Sequence, residues 1–353
     1  MKAVVYDAVG AVPVVADVAD PTCPADGVLI AVAATGVCRS DWHAWSGHDP
    51  VPLPHIPGHE FAGIVVETGV ANTGWSVGDR VTTPFVSGCG RCEWCLAGDA
   101  QVCPEQTQPG FTGPGSFAEL VAVPAAATNL VLLPEHVALR DAAVLGCRFA
   151  TAYRALTAHG ALQHGQWLAV HGCGGVGLSA IMIAVALGAR VVAVDVSPQA
   201  LRRARELGAE ALVDARGSMD TAAAVQSATN GGAHLSMDAL GTPATALASV
   251  LSLRRRGRHL QVGLLLGEHA STPLPMGRVL SWELTVHGCH GMAARDYPAM
   301  FRLVADGRLP LSALVGSVIG LDEAPAALMA MDAVDVAAGS ITIVQPGGQL
   351  LRS

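Results

Sequence analysis

The chain has 353 residues, 29 acidic against 21 basic side chains and a formal net charge of −8. That length suits two domains or one large one, with a core big enough to need no disulfide staples. An acidic chain without a basic run is a poor nucleic-acid binder, so nucleic acid is not an expected partner. Hydrophobic residues at 51% raise the membrane question instead. The longest uncharged stretch, 167–189, could span a bilayer by length. It nevertheless carries His171 and glycines at 172, 174, 175, 177 and 188, so it reads as a strand, a turn and a core helix. The start MKAVVYDAVG has no apolar signal region, and the expected location is cytoplasmic. Lys2 is the only lysine, which excludes a Schiff-base lysine unless Lys2 itself serves.

In chain order, residues 1–145 read as mostly β. Short apolar runs at 28–33, 63–67, 80–83 and 120–123 are separated by Gly, Pro and Asp turns, and the prolines of 50–57 indicate loops. From about 146 the rhythm changes. Strands at 167–172, 190–196, 211–215, 234–240 and 258–265 alternate with helices at 175–187, 198–208, 218–229 and 242–253. A sixth strand is expected at 284–289. This alternation indicates βαβ units on a parallel sheet. Beyond 291, helices at 296–306 and 322–331 and a strand at 339–345 do not continue it. The arginines at 254, 255, 256 and 258 read as a solvated helix end.

Nine cysteines are an odd count in a chain that reads as cytoplasmic, which favours metal or catalysis over disulfides. Cys89, Cys92, Cys95 and Cys103 form a C-x2-C-x2-C-x7-C run. Four thiolates are the set for closed tetrahedral zinc, and Gly88, Gly90 and Gly98 let a loop wrap the ion. An iron–sulfur cluster is the rival, because Pro104 follows the last cysteine; the seven-residue gap and the single run disfavour it. Cys38 (GVCRSDWH), His59 (GHE, with Glu60 beside it) and Cys147 (LGCRF) form a looser set that spacing alone does not join.

Gly172, Gly174 and Gly177, with Gly175 and Val176 between, fit G-x-G-x-x-G after an apolar strand and before an apolar helix. A second strand then ends in Asp195. Such a turn lets a pyrophosphate approach a helix N-terminus, and the carboxylate suits an adenosine ribose while repelling a 2′-phosphate. The expected cofactor is therefore NAD, with NADP disfavoured.

Five motifs in order carry a family resemblance: G-x-C-R-S-D-x-H at 36–43, G-H-E at 58–60, the four-cysteine run, L-G-C at 145–147 and G-x-G-G-V-G at 172–177. Together they resemble the zinc-dependent medium-chain alcohol dehydrogenases over essentially the whole length. The resemblance implies an α/β fold: a GroES-like, mainly β catalytic domain (1–146, zinc lobe near 86–104), a Rossmann NAD-binding domain (147–290) with a doubly wound parallel sheet, and a return to the catalytic domain (291–353). It implies a cleft between them and two zinc ions per chain.

Cys38, His59 and Cys147 resemble the three ligands of catalytic zinc, with Glu60 a transient one. Asp41 resembles the carboxylate that orients the ligand histidine. Ser40 and His43 resemble a proton relay, Arg39 a pyrophosphate contact and Phe85 a substrate-pocket wall, to which Trp42 is added without a firm match. One departure stands out: the segment GSITIVQ lacks an arginine that many relatives carry near the final strand to hold pyrophosphate.

The implied activity is reversible oxidation of an alcohol to an aldehyde or ketone by hydride transfer to nicotinamide, in a homodimer or homotetramer joined through an edge strand at 284–289. Two alternatives stay open: a polyol or amino-alcohol dehydrogenase of the same family, and a catalytically silent NAD-binding sensor or structural protein.

Overall fold

The computed structural model describes residues 1–217, 220–332 and 340–347. Residues 1–150, 291–332 and 340–347 form one compact unit, and 151–290 form another.

The first unit begins with an antiparallel pair, β1 (Lys2–Val5) and β2 (Val14–Asp17). Its organising strand is β3 (Val28–Gly36), VLIAVAATG, buried at eight of nine positions. So apolar a run is what a strand covered on both faces requires. One edge of β3 pairs with β4 (Phe61–Thr68), and β5 (Arg80–Thr82) follows on β4. The first half of the other edge pairs with β6 (Leu120–Val123). A two-residue strand, β7 (Val131–Leu132), ends the sheet beyond β5. Val28, Ile30, Val32, Phe61, Val65, Val81 and Val121 fill the core beneath.

The second unit is a six-stranded parallel sheet of β8 (Trp167–His171), β9 (Arg190–Asp195), β10 (Ala211–Asp214), β11 (Ala233–Asp238), β12 (Leu253–Gln261) and β13 (Thr285–Gly288). The spatial order is β10-β9-β8-β11-β12-β13, with every pairing parallel. Helices Gly175–Ala186, Pro198–Glu206, Thr221–Ala228 and Pro243–Leu251 connect the strands. The order reverses between β8 and β11, the switch point at whose carboxyl ends doubly wound sheets bind ligands. The helix Gly175–Ala186 buries every residue from Gly177 to Ala184, which accounts for the long uncharged stretch. No helix among the described residues is long and apolar enough to cross a membrane.

The chain then returns to the first sheet. Here β14 (Val315–Gly320) and β15 (Ile341–Gln345) pair in parallel, and Ile343 and Val344 of β15 lie antiparallel to Gly36 and Thr35 of β3.

One expectation fails. Arg254, Arg255, Arg256 and Arg258 do not end a helix; they lie in β12, where the pairing to β11 shifts between Ala233 and Leu235. That irregularity turns Arg254–Arg256 to solvent, so neither strand alternation nor helical spacing is visible in the sequence there. The helix expected from 218 and the strand expected from 339 begin at Thr221 and Ile341. Residues 218, 219 and 339 lie outside the described residues.

Candidate metal centres and dinucleotide loop

A carboxylate builds the first centre. Cys38 caps the helix Arg39–Trp45, and three residues on Asp41 reaches back so that its Oδ2 accepts the Cys38 N–H at 3.0 Å. The other oxygen, Oδ1, accepts from the Gly58 N–H at 3.1 Å and from His59 Nδ1 at 2.8 Å. Asp41 is fully buried. A capping interaction thus doubles as the device that brings the segment at 58–60 against the start of the helix and fixes the His59 ring.

With Nδ1 donating to Asp41, the free lone pair of His59 sits on Nε2, which is buried and has no hydrogen-bond partner. Around it, one donor atom each from Cys38, His59, Glu60 and Cys147 all lie within 4.8 Å of one another. Burial disfavours a charged imidazole, but Asp41 and Cys38 outweigh it and raise the His59 pKa well above its ordinary value. The Cys147 thiol donates to Cys38 and, against burial, holds Cys38 well below the usual thiol range; Cys147 itself is pushed well above it. The raised imidazole and the lowered Cys38 thiol both point to a cluster that favours a positive charge among its donor atoms. Orphaned Nε2 and two thiols are a donor set that fits zinc with a position left open.

Glu60 is fully buried and both its oxygens are engaged. The main-chain N–H of Arg148 donates to Oε1 at 2.8 Å, Nε donates to both oxygens at 3.0 and 2.9 Å, and Nη2 donates to Oε2. Arg148 was not singled out in the sequence. Phe111 was also missed: its ring centroid lies 5.1 Å from that of His59, edge-on, closer than Phe85 at 6.2 Å. Neither left a clear signal, because an arginine beside a cysteine reads as surface and GFTGPG reads as a loop.

Arg39, Ser40, Trp42 and His43 of the motif at 36–43 lie on the same helix. Ser40 is half-buried in its first turn. The Nδ1 of His43 is buried without a partner, and burial, then Arg39 and His48, lower its pKa. Arg39 is exposed. It donates to the Met331 carbonyl at 2.6 Å, pairs with Asp332 at 3.0 Å and stacks over Trp42 at 4.5 Å. Trp42 thus packs with Arg39, His43 and His48.

The second centre is the cysteine loop. Donor atoms of Cys89, Cys92, Cys95 and Cys103 all lie within 4.8 Å of one another. Cys92 caps the helix Glu93–Ala97, its sulfur accepting from the Cys95 N–H, while the Cys89 N–H donates to Cys103 Sγ. The helix ends at Gly98 in the left-handed region (φ 90°). A side chain there would strike the Arg295 guanidinium at 1.6 Å, the group that donates to the Ala97 carbonyl. Backbone N–H groups, that of Arg91 first, lower Cys89 to about 7, whereas burial pushes Cys95 up to about 12. Four converging sulfurs fit a closed tetrahedral ion.

The glycine loop follows β8. Gly172 has φ 94°, and a Cβ on Gly177 would lie 1.9 Å from the Gly172 carbonyl oxygen, so helix and loop touch backbone to backbone. The Cβ position of Gly174 faces open space at the N-terminus of the twelve-residue helix, leaving room for a phosphate against Gly175 and Val176. Asp195, at the end of β9, accepts the Cys173 N–H at 2.6 Å and the Ser197 N–H at 2.7 Å. It therefore fastens the loop to the adjacent strand, and its remaining lone pairs are available to ribose hydroxyls. The Cys173 thiol does not line the pyrophosphate path: it is fully buried and turned to the Val194 carbonyl. All nine cysteines are free thiols.

Residues 24–135 match the family described as the alcohol dehydrogenase GroES-like domain, and 175–306 match the zinc-binding dehydrogenase family. The chain is 34% identical to an alcohol dehydrogenase of Geobacillus stearothermophilus, over 88% of this chain and 90% of that protein. Its fold is similar to that of the alcohol dehydrogenase TADH from Thermus sp. ATN1 (32% identity, TM-score 0.89, 98% and 99% of the two chains). It is likewise similar to the alcohol dehydrogenase of the hyperthermophilic archaeon Aeropyrum pernix (28% identity, TM-score 0.87, 98% and 100%).

Proposed function

The chain belongs to the zinc-dependent medium-chain alcohol dehydrogenase family, and from that premise we propose that it interconverts an alcohol with its aldehyde or ketone using NAD. The observation that carries the reading is the orphaned, buried Nε2 of His59 beside the Cys38 and Cys147 sulfurs. Cys38, His59 and Cys147 would hold a catalytic zinc, and Cys89, Cys92, Cys95 and Cys103 a structural one, giving two ions per chain. Bound zinc would supply a Lewis acid for the substrate oxygen, and bound nicotinamide the hydride acceptor.

The chain's own residues do the rest. Asp41 keeps Nδ1 protonated so that Nε2 is the ligand atom. The Ser40 hydroxyl takes up the substrate proton as it gives its own towards His43, whose pKa is lowered by burial and then by Arg39, and which hands the proton on to solvent. Phe85 and Phe111 form an apolar wall beside His59 and exclude water there. The loop at 172–177 takes the pyrophosphate, Arg39 assists once it leaves Asp332, and Asp195 selects NAD by repelling a 2′-phosphate.

The protein is expected in the cytoplasm as a homodimer or homotetramer. The edge strand β13 is the contact, since it ends the six-stranded sheet and pairs on that side with no other strand among the described residues. Size-exclusion chromatography giving a monomer would count against that assembly.

The test is Cys38→Ser with metal analysis. Turnover of an alcohol panel should vanish, zinc should fall from two ions to one, and NAD binding by fluorescence should persist. Near-normal oxidation by the variant would remove the catalytic-zinc reading. A parent enzyme inactive with every alcohol, diol and amino alcohol while binding NAD would favour the silent sensor.

A further inference from the structure

Two claims compete for the Glu60 carboxylate. One of its oxygens belongs to the set of four donor atoms, with Cys38, His59 and Cys147, that could close around an ion. Yet Arg148 grips the same carboxylate at three of its nitrogens: the main-chain N–H donates to Oε1, Nε to both oxygens, and Nη2 to Oε2. The pair is sealed from water, with side-chain exposures of 7% and 0%. The backbone is built around it. Arg148 follows Cys147 directly, so the residue that brings the third sulfur also brings the cation. Gly36 makes the room: a Cβ there would lie 2.8 Å from Glu60 Oε2 and 2.9 Å from Arg148 Nη2.

We propose that Arg148 is a positioning residue that holds Glu60 off the metal, so that Cys38, His59 and Cys147 alone ligate it and the fourth position stays open to substrate. A carboxylate that swung to the ion would leave a buried guanidinium without its partner, a strongly destabilising state. Without Arg148 the sign reverses. A buried carboxylate lacking a counter-charge has a dication within reach, and the three-ligand site closes to four.

The inference rests on the metal-centre reading above, and the test separates the two. In the full-length protein, Co(II) replaces zinc at the Cys38 centre while zinc is kept in the four-cysteine loop. Visible d–d bands report the ligand set, and imidazole serves as the probe for an open position. Glu60→Gln should leave the cobalt spectrum and imidazole affinity as in the parent. Arg148→Gln should shift the d–d bands and weaken imidazole binding by about tenfold or more. The double variant Glu60→Gln/Arg148→Gln should restore both. A cobalt spectrum altered by Glu60→Gln would make Glu60 a resident ligand and overturn the proposal. So would an Arg148→Gln variant with parental bands and imidazole affinity. If Arg148→Gln does not fold, Arg148→Lys takes its place: it keeps the charge but loses the forked grip on Glu60, the same shift and weakening are expected in smaller measure, and parental bands with parental imidazole affinity overturn the proposal. If the parent takes up no cobalt that Cys38→Ser loses, the metal centre itself fails and this inference with it.

Discussion

Acid should loosen the sheet of the second unit through His171, the last residue of β8. The ring is 1% exposed, and its Nε2 lies 3.3 Å from Ser252 Oγ. Burial first, then His259, lowers its pKa from 6.5 to about 3. The unfolded chain titrates near 6.5, so between those values the unfolded state binds the extra proton and stability falls as pH falls. The contribution is complete above about pH 6.5 and is lost progressively towards about pH 3. At about 1.4 kcal/mol per unit, the ceiling is near 5 kcal/mol and the loss at pH 5 about 2 kcal/mol. His259, also lowered by burial, adds in the same direction. Hydrogen exchange of β8 and β9 amides, corrected for intrinsic rates, measures this within one unit. From pH 8 to pH 5 the opening free energy should drop by about 2 kcal/mol or more in the parent, and by clearly less in His171→Asn, which keeps a polar partner for Ser252. A parental slope unchanged by the substitution would refute the reasoning.

Further outcomes follow from the contacts described. Asp41→Asn keeps one acceptor oxygen and turns an amide N–H either on the Cys38 N–H or on the Gly58 and His59 donors, and should weaken metal retention at the Cys38 centre about 10–100-fold, read by chelator competition. Gly177→Ala forces a Cβ to within 1.9 Å of the Gly172 carbonyl oxygen; since backbone cannot yield as a side chain does, NAD binding should be largely lost by calorimetry. Asp195→Ser removes the charge that disfavours a 2′-phosphate and loosens the Cys173 anchor, so kcat/KM should fall with NAD and the NADP/NAD ratio should rise. Cys103→Ser should lower zinc content to one ion per chain and expose the loop at 88–104 to proteolysis.

What the sequence revealed depended on how local each feature is. The convergence of the four-cysteine run was legible because all four sulfurs sit on one loop, and C-x2-C spacing is itself a geometric statement. The parallel sheet was legible because each βαβ unit carries its own periodicity, with strand starts such as Trp167, Arg190 and Ala211 falling where the turns predict. That Cys38, His59 and Cys147 come together was legible only through resemblance. Residues 38, 59 and 147 meet because β3 and β4 pair antiparallel and Asp41 bonds across to Gly58 and His59, and no spacing rule encodes that. Arg148 was invisible for a related reason: its partner Glu60 is remote in sequence, and only the sheet brings them together.

The strand β15 lies against β3 at Gly36 and Thr35, and Gly36 is the residue whose absent side chain makes room for the Arg148 guanidinium. The cation of this corner thus comes from the residue that follows Cys147. The charge balance there matters to chemistry. Two thiolates and a neutral imidazole around a dication are formally neutral, and Glu60 with Arg148 is neutral as a pair. A fourth, carboxylate ligand would make the centre anionic and a poorer host for negative charge developing on a substrate oxygen. Arg148 thus does at the metal what the glycines do at the cofactor loop: it keeps one position clear for the ligand.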